Sequence, residues 1–447
     1  MHLLRPSHLI LFTLCTSALS AQSLVPMPDV VNSNISFAGT VDSFAVSGDT
    51  LYIGGNFDTV GGVARNDLAA IDLSNGSVTS WNPGVTGGFG GVTGLGLSSD
   101  GSTLYVGGNF TGLGGSARNS LGAVSTATGS ATSWNPDLNG GVSALTVNAA
   151  TGRVFAVGNF TQASGNTVTA NRVVGVAADG TVTGYAGSTN FIGSDYRSIG
   201  SSTDGSTLYI AHIGDVTWDA AAGGTVTRSD FTALQTSNFL ATPFVPSIQE
   251  SKFSSPGQSL AVHGNSLYIG GQFDNVGGVA NVSTGTARDR IVKFDMNATG
   301  SDGTLDTTFA PTSAANGPNG GSIRGLVFIG GQLYAIGGFT AYAGTALQGI
   351  ALLDPTTGAL DDSFSVSTSA SLFGNNNTFS YGDSTTGDLF ISANGIVGAT
   401  VLGEVQDNYF IGLTTSSAVP EPATWAAIAG VGALGLALVR RRHQPRA

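Results

Sequence analysis

A twelve-residue phrase recurs seven times along the chain and constrains its fold more than any other feature. It reads LYIGGNFDTVGG from residue 51, LYVGGNFTGLGG from 104, VFAVGNFTQASG from 154 and LYIAHIGDVTWD from 208. It returns as LYIGGQFDNVGG from 267, LYAIGGFTAYAG from 333 and LFISANGIVGAT from 389. The start-to-start spacings are 53, 50, 54, 59, 66 and 56 residues. Periods of this size mark stacked units that cannot bury a core alone. Units four and seven are degenerate, so the count draws on a second signal.

That signal is a two-residue turn just before each phrase: Gly48-Asp49, Asp100-Gly101, Thr151-Gly152, Asp204-Gly205, Gly264-Asn265, Gly330-Gly331 and Thr386-Gly387. Gly-bearing dipeptides supply the positive φ angles that tight hairpins demand. Strand-like runs precede the turns at 41–46, 92–97, 142–147 and 323–328, and others follow the phrases at 68–73, 121–126, 173–178, 291–296, 350–353 and 409–413. A fourth strand per unit carries an aromatic: Trp81, Trp134, Tyr185, Phe244, Phe309 and Phe364. The seventh unit has none, while one aromatic run, 35–39 around Phe37, stands unpaired before the first unit. Six plus one makes seven if the N-terminal strand completes the last unit, and closure removes the exposed edge of an open array.

The expected fold is therefore all-β, a seven-bladed β-propeller over residues 32–415 closed by an N-terminal strand. A β-solenoid has rungs much shorter than these units, and an eight-bladed ring or two separate sheets would need turn signals that are absent. Glycine pairs such as Gly54-Gly55, Gly107-Gly108 and Gly270-Gly271 suit strands that converge near an axis. The fourth-strand aromatics are expected to pack between blades. The units resemble an uncharacterised family of bacterial extracellular propeller repeats that read Gly-Gly-Asn-Phe-Thr, Gly-Gly, Arg-Asn and Trp-Asn-Pro. The likeness is close in units one, two, three and five and fails in four; it supports the fold and implies no reaction.

Both ends of the chain read as addresses. Arg5, an apolar run at 9–14 and small residues through Ala18, Ser20 and Ala21 have the layout of a secretory signal peptide over 1–21, cut after Ala21 or Ser20; the alternative is a buried first helix or strand. The one cysteine, Cys15, would leave with it, so packing alone must hold the mature protein. At the other end Val419, Pro420, Glu421 and Pro422 precede an apolar or small run at 423–439, then Arg440, Arg441 and Arg442. Seventeen helical residues span about 25 Å, short for a bilayer, with the arginines on the cytoplasmic side. This tripartite tail, 419–447, resembles the PEP-CTERM sorting signal of Gram-negative bacteria. The resemblance implies transient membrane insertion through 423–439, removal of the tail by an exosortase-type membrane protease, and delivery to the cell surface, outer membrane or extracellular matrix. The alternative is an ordinary single-span anchor.

Chemistry is sparse. Residues 22–422 hold 11 Lys plus Arg against 28 Asp plus Glu, a net of −17, with no basic stripe, which excludes nucleic acid as a partner. No zinc pattern, phosphate loop, dinucleotide fingerprint or nucleophile elbow is present, so no metal or cofactor is expected. His212 and His263 read as structural. The most regular polar feature is an arginine before the third strand: Arg65, Arg118, Arg172 and the pair Arg288 and Arg290. Up-and-down topology puts these on one rim with Asn56, Asn109, Asn159, Gln272 and the link 84–91. Each arginine is expected either to pair with a neighbouring acid or aromatic, or to join a polar crown that binds glycan hydroxyls or acidic sugars. The expected function is a non-enzymatic binding or structural module, partnered by extracellular polysaccharide or another surface protein. The alternative is a polysaccharide-active hydrolase or lyase at the channel mouth, for which the interior offers Glu250, Glu404 and many aspartates.

Overall fold

In the computed structural model the described residues are 23–26 and 40–415, the latter with short internal interruptions of which 277–285 and 367–377 are the longest. The expected signal peptide, the run 35–39, Phe364 and the sorting tail lie outside the described residues. Every regular element described is a β-strand. The first sheet runs Thr40–Ser47, Thr50–Asn56, Leu68–Asp72, Ser77–Val78 in up-and-down antiparallel order. The same order returns in Val142–Val147, Val154–Gly158, Val173–Val176, Val182–Gly184 and in Gly257–His263, Ser266–Gly271, Ile291–Met296, Gly303–Leu305. In sheets led by Val92–Leu97, Asp195–Ser201 and Ile323–Ile329 the fourth strand shrinks to a single bridge, Val124 to Ala131, Leu234 to Ala241 and Leu353 to Leu360.

The tight turns sit where the dipeptides predict, with positive φ at Gly48, Gly101, Gly152, Gly205, Gly264 and Gly331. The seventh dipeptide lies outside the described residues. Two departures from expectation have physical causes. The aromatics follow the fourth strand instead of lying in it, because Thr79 and Thr132 turn the chain: their hydroxyls accept the amides of Trp81 and Trp134 at 3.3 and 3.2 Å. The degenerate fourth phrase is not a failed unit. Its second and third strands run on as Thr207–Asp219 and Thr225–Gln235, one long bulged hairpin where other units carry a separate small one such as Gly112–Leu113 with Ser116–Ala117.

The first strand of each sheet lies against the first strand of the next, from Thr40–Ser47 through Val92–Leu97, Val142–Val147, Asp195–Ser201, Gly257–His263 and Ile323–Ile329 to Thr378–Asp383, which in turn contacts Thr40–Ser47. The last sheet orders Ser365–Val366, Ser23–Pro26, Asn408–Thr415, Asp388–Asn394 and Thr378–Asp383. The N-terminal strand in it is Ser23–Pro26, antiparallel to Asn408–Thr415 with Leu24 opposite Thr415.

Cores form between consecutive sheets. Tyr52, Leu68, Ala70 and Trp81 of the first sheet pack with Val92, Leu104, Val106 and Phe110 of the second, while Leu51, Ile53 and Ile71 face the other way into a separate cluster. Strands buried on both faces read as continuous apolar runs, which is why the phrases show no strict alternation. The aromatics do pack between sheets. The Trp81 indole Nε1 donates to the Ser125 carbonyl at 3.1 Å and Trp134 to Ala177 at 2.8 Å, each reaching the following sheet. The glycine pairs divide the work. A Cβ on Gly54, Gly107 or Gly270 would meet Val92, Val142 or Ile323 of the next sheet within 2.7 Å, whereas one on Gly55, Gly108 or Gly158 would strike the carbonyl of Thr40, Gly91 or Gly141, at or just before the start of its own bulged first strand.

Candidate functional site

The face opposite the tight turns is built from the strand-two exits, the small hairpins and the links between sheets. Asn56, Asn109 and Asn159 occupy equivalent exits and are exposed; Gln272 holds the same position, half-buried. The links lie across the next hairpin, since Thr86 donates its amide to Gly112 and the Asn139 carboxamide accepts the amides of Thr161 and Gln162 at 2.8 and 2.9 Å. Beside Gly84, Thr86 and Thr111 the link and hairpin enclose a shallow groove of about 380 Å³. At these two places a link is hydrogen-bonded to the hairpin of the next sheet.

The arginines on it divide into two kinds. Arg65 is buried; its Nη1 donates to the Ala64 carbonyl at 2.7 Å and its Nη2 to the Thr79 carbonyl at 2.5 Å. Arg118 repeats this with Ala117 and Thr132, and Arg228 with Thr227 and Thr242. Each guanidinium thus clamps the carbonyl just ahead of an inter-sheet aromatic, Trp81, Trp134 or Phe244. Neither an acid nor an aromatic of a neighbouring sheet receives these donors. Arg172 stands at another register, the left-handed residue immediately before the third strand, with φ 66°, and its Nη1 donates to Asn159 Oδ1 at 3.1 Å. Asp67, Ser120 and Arg290 share that left-handed position, and Asp230 is left-handed within the long strand Thr225–Gln235, directly before Phe231. In the sequence the clamp is an arginine 14 residues before Thr79, Thr132 and Thr242, and at Arg228 the surrounding phrase that marks the others is missing from unit four. Replacing Arg118 with methionine will orphan two carbonyls, at about 1–3 kcal/mol for each that is buried. A denaturant titration checks this, and an unchanged midpoint would remove the clamp role.

Two carboxyls on this face are held above their usual range. Burial raises Asp67 and lifts Asp230 to about 6, with Asp58 and Asp215 adding repulsion. Both have backbone work: Asp67 Oδ1 accepts the Phe57 amide at 3.1 Å, and Asp230 Oδ1 the Gly214 amide at 3.0 Å. The Gly214 carbonyl accepts from Nδ1 of His212, which is wholly buried and has Nε2 2.9 Å from the Thr232 hydroxyl. Desolvation drops His212 to about 4. The two titrations oppose each other. A lowered histidine stabilises above its unfolded pKa near 6.5 and loses about 3 kcal/mol as pH falls through 4; a raised aspartate regains about 3 kcal/mol over nearly the same window. The wild type should thus vary little between pH 7 and 4, Asp230→Asn should lose stability on acidification, and His212→Asn should gain it. Urea midpoints across that range test the pair, and parallel profiles for the two variants would contradict it.

His263 stacks on Phe328 of the next sheet at 4.4 Å. Among the described residues no group of three His, Cys, Asp or Glu is placed to hold a metal ion. Lys293 Nζ lies 2.7 Å from Asp306 Oδ2 in a buried pair, and Asp306 also accepts the amides of Thr308 and Phe309, which with the lysine holds its carboxyl down at about 2. That pair ties the third strand to the turn before Phe309.

These features define an all-β chain of repeated antiparallel sheets that carries a sorting signal. Residues 418–442 match the PEP-CTERM protein-sorting motif, which implies processing by an exosortase and sorting to the cell surface. Among solved structures the chain is similar to the β-propeller domain of Cps50 (Swd1) from Myceliophteria thermophila, at 11% identity and a TM-score of 0.49, covering 86% of this chain and 99% of that one. No curated protein matches the chain.

Proposed function

We propose that the chain is a seven-bladed β-propeller closed by its own N-terminal strand, and that it is displayed at the cell surface or in the extracellular polysaccharide matrix as a non-enzymatic binding or structural module. The ring rests on the contact between the first strand of the last sheet and the first strand of the first, together with the seat of Ser23–Pro26 beside Asn408–Thr415. Display rests on the sorting motif. The binding surface is the loop rim, where Asn56, Asn109 and Asn159 stand exposed at one repeated position and Arg172 joins Asn159. Arg65 and Arg118 hold that rim in shape, and the exposed amides of Asn56, Asn109 and Asn159 are the groups that would meet sugar hydroxyls on its surface. The experiment is a screen of purified residues 22–418 against matrix polysaccharides for binding and for cleavage. Binding without turnover, weakened when the three asparagines become alanine, is expected; turnover would overturn it.

One observation favours the enzyme reading. Asp230, at about 6, lies in the range of a general acid, and Asp215 is near enough to raise it. Its carboxylate is already an acceptor for Gly214, as Asp67 is for Phe57, and this repetition supports a structural duty. Cleavage abolished by Asp230→Asn with an unchanged fold would establish the enzyme instead.

A further inference from the structure

The pairing of Ser23–Pro26 with Asn408–Thr415 places the two ends of the described chain at one end of one strand pair. Leu24 faces Thr415, so the chain runs from that end toward the expected signal cut after Ala21 in one direction and toward Val419 of the sorting motif in the other. Leu24 lies three positions after Ala21, and Val419 lies four positions after Thr415. At roughly 3.6 Å per extended residue these reaches are at most about 11 and 14 Å. Both membrane-directed segments therefore leave the sheet within a short distance of each other, and neither must be cut free before the strands can meet. Joining residues this distant in sequence is entropically costly in a free chain, and the cost grows with the length of the loop closed. A chain held at a membrane by its tail, with its N-terminus released at the same surface, meets a smaller search.

Resting on the ring-closure reading, we infer that the seam closes before the sorting cut, so that the closed propeller, seam toward the membrane, is what the exosortase-type protease processes. The tail is then removed a few residues from a finished sheet. Seam closure becomes a step in maturation between secretion and release, and the two new chain ends are left side by side.

The test uses the full chain with Leu24→Cys and Thr415→Cys. Loss of Cys15 with the signal peptide leaves no other thiol. Directly opposed antiparallel residues have Cα atoms about 4.5–5.5 Å apart, within the range a disulfide spans. The chain is expressed in cells with and without the sorting protease, oxidised with copper phenanthroline and run on a non-reducing gel, where the internally linked form migrates faster. Cross-linking of the tail-bearing membrane form to within about twofold of the processed form is expected. A tenfold deficit in the tail-bearing form would overturn the order while leaving the ring intact. Cross-linking in neither form, repeated with Val25→Cys and Thr414→Cys, would overturn the ring and this inference together.

Discussion

Replacing Trp134 with alanine will cost the protein about 3–5 kcal/mol, the range for removing a large buried aromatic. Trp134 is buried within a cluster drawn from two sheets, Tyr105 and Leu121 on one side and Val142, Ala156 and Val174 on the other. Its ring meets Tyr105 edge-on at 4.9 Å, and its Nε1 donates to Ala177 across the sheet boundary. The substitution removes apolar contact, an aromatic pair and a hydrogen bond at one interface. Trp134→Phe separates these contributions: it keeps most of the ring but removes the indole donor, leaving the Ala177 carbonyl to the Gly180 amide alone, and should cost about 0.5–1.5 kcal/mol. Guanidinium titrations of both variants provide the measurement. Equal losses would mean that the indole hydrogen bond, not the packing, dominates the contact between sheets.

A single methyl group at Gly108 is expected to cost about 3 kcal/mol or more, because the clash is with backbone. A Cβ there would lie 2.2 Å from the Gly91 carbonyl oxygen and 3.0 Å from the Val92 Cα, where the bulged first strand of the same sheet begins. No rotamer change relieves this; the bulge itself must move, and overpacking of that kind destabilises strongly. Gly115 is the control. It has φ +78° and nothing within 4 Å of an added Cβ, so Gly115→Ala carries only the left-handed backbone cost of about 1–2 kcal/mol. Circular-dichroism melts of the two variants should differ widely, and indistinguishable melts would show that the bulge yields.

Much of this architecture was legible because it is local. Dipeptides such as Asp100-Gly101 fixed the hairpins through φ, and the spacing of the phrases fixed the repeat, since both depend on residues adjacent in sequence. The burial of Phe57, Phe110, Phe160, Phe273 and Phe339 follows from their constant place in the phrase. Features that depend on partners distant in sequence were harder to read. The arginines looked like one set because each lies a few residues before a third strand, yet the register separates Arg65 and Arg118 from Arg172 by two positions. That shift changes a buried clamp on a carbonyl into a side chain that meets Asn159. Unit four looked degenerate because a long hairpin needs none of the glycines that a short separate one does; Trp218, wholly buried and packed against Tyr185, replaces them with a different contact. The aromatic run around Phe37 marks a strand in the sequence, but a backbone ladder needs no aromatic, and the strand beside Asn408–Thr415 is Ser23–Pro26.

The arrangement of the sheets is tested most directly by distances between spin labels in solution. One pair joins the tight turns of the first and second sheets, Asp49→Cys with Ser99→Cys; the other joins the first and last sheets, Asp49→Cys with Asp388→Cys. Packed sheets lie about 10 Å apart, so a closed ring makes both pairs neighbours, with both distances below about 25 Å. A row of the same sheets would leave the first pair short and stretch the second to about 60 Å, and that result would contradict the ring.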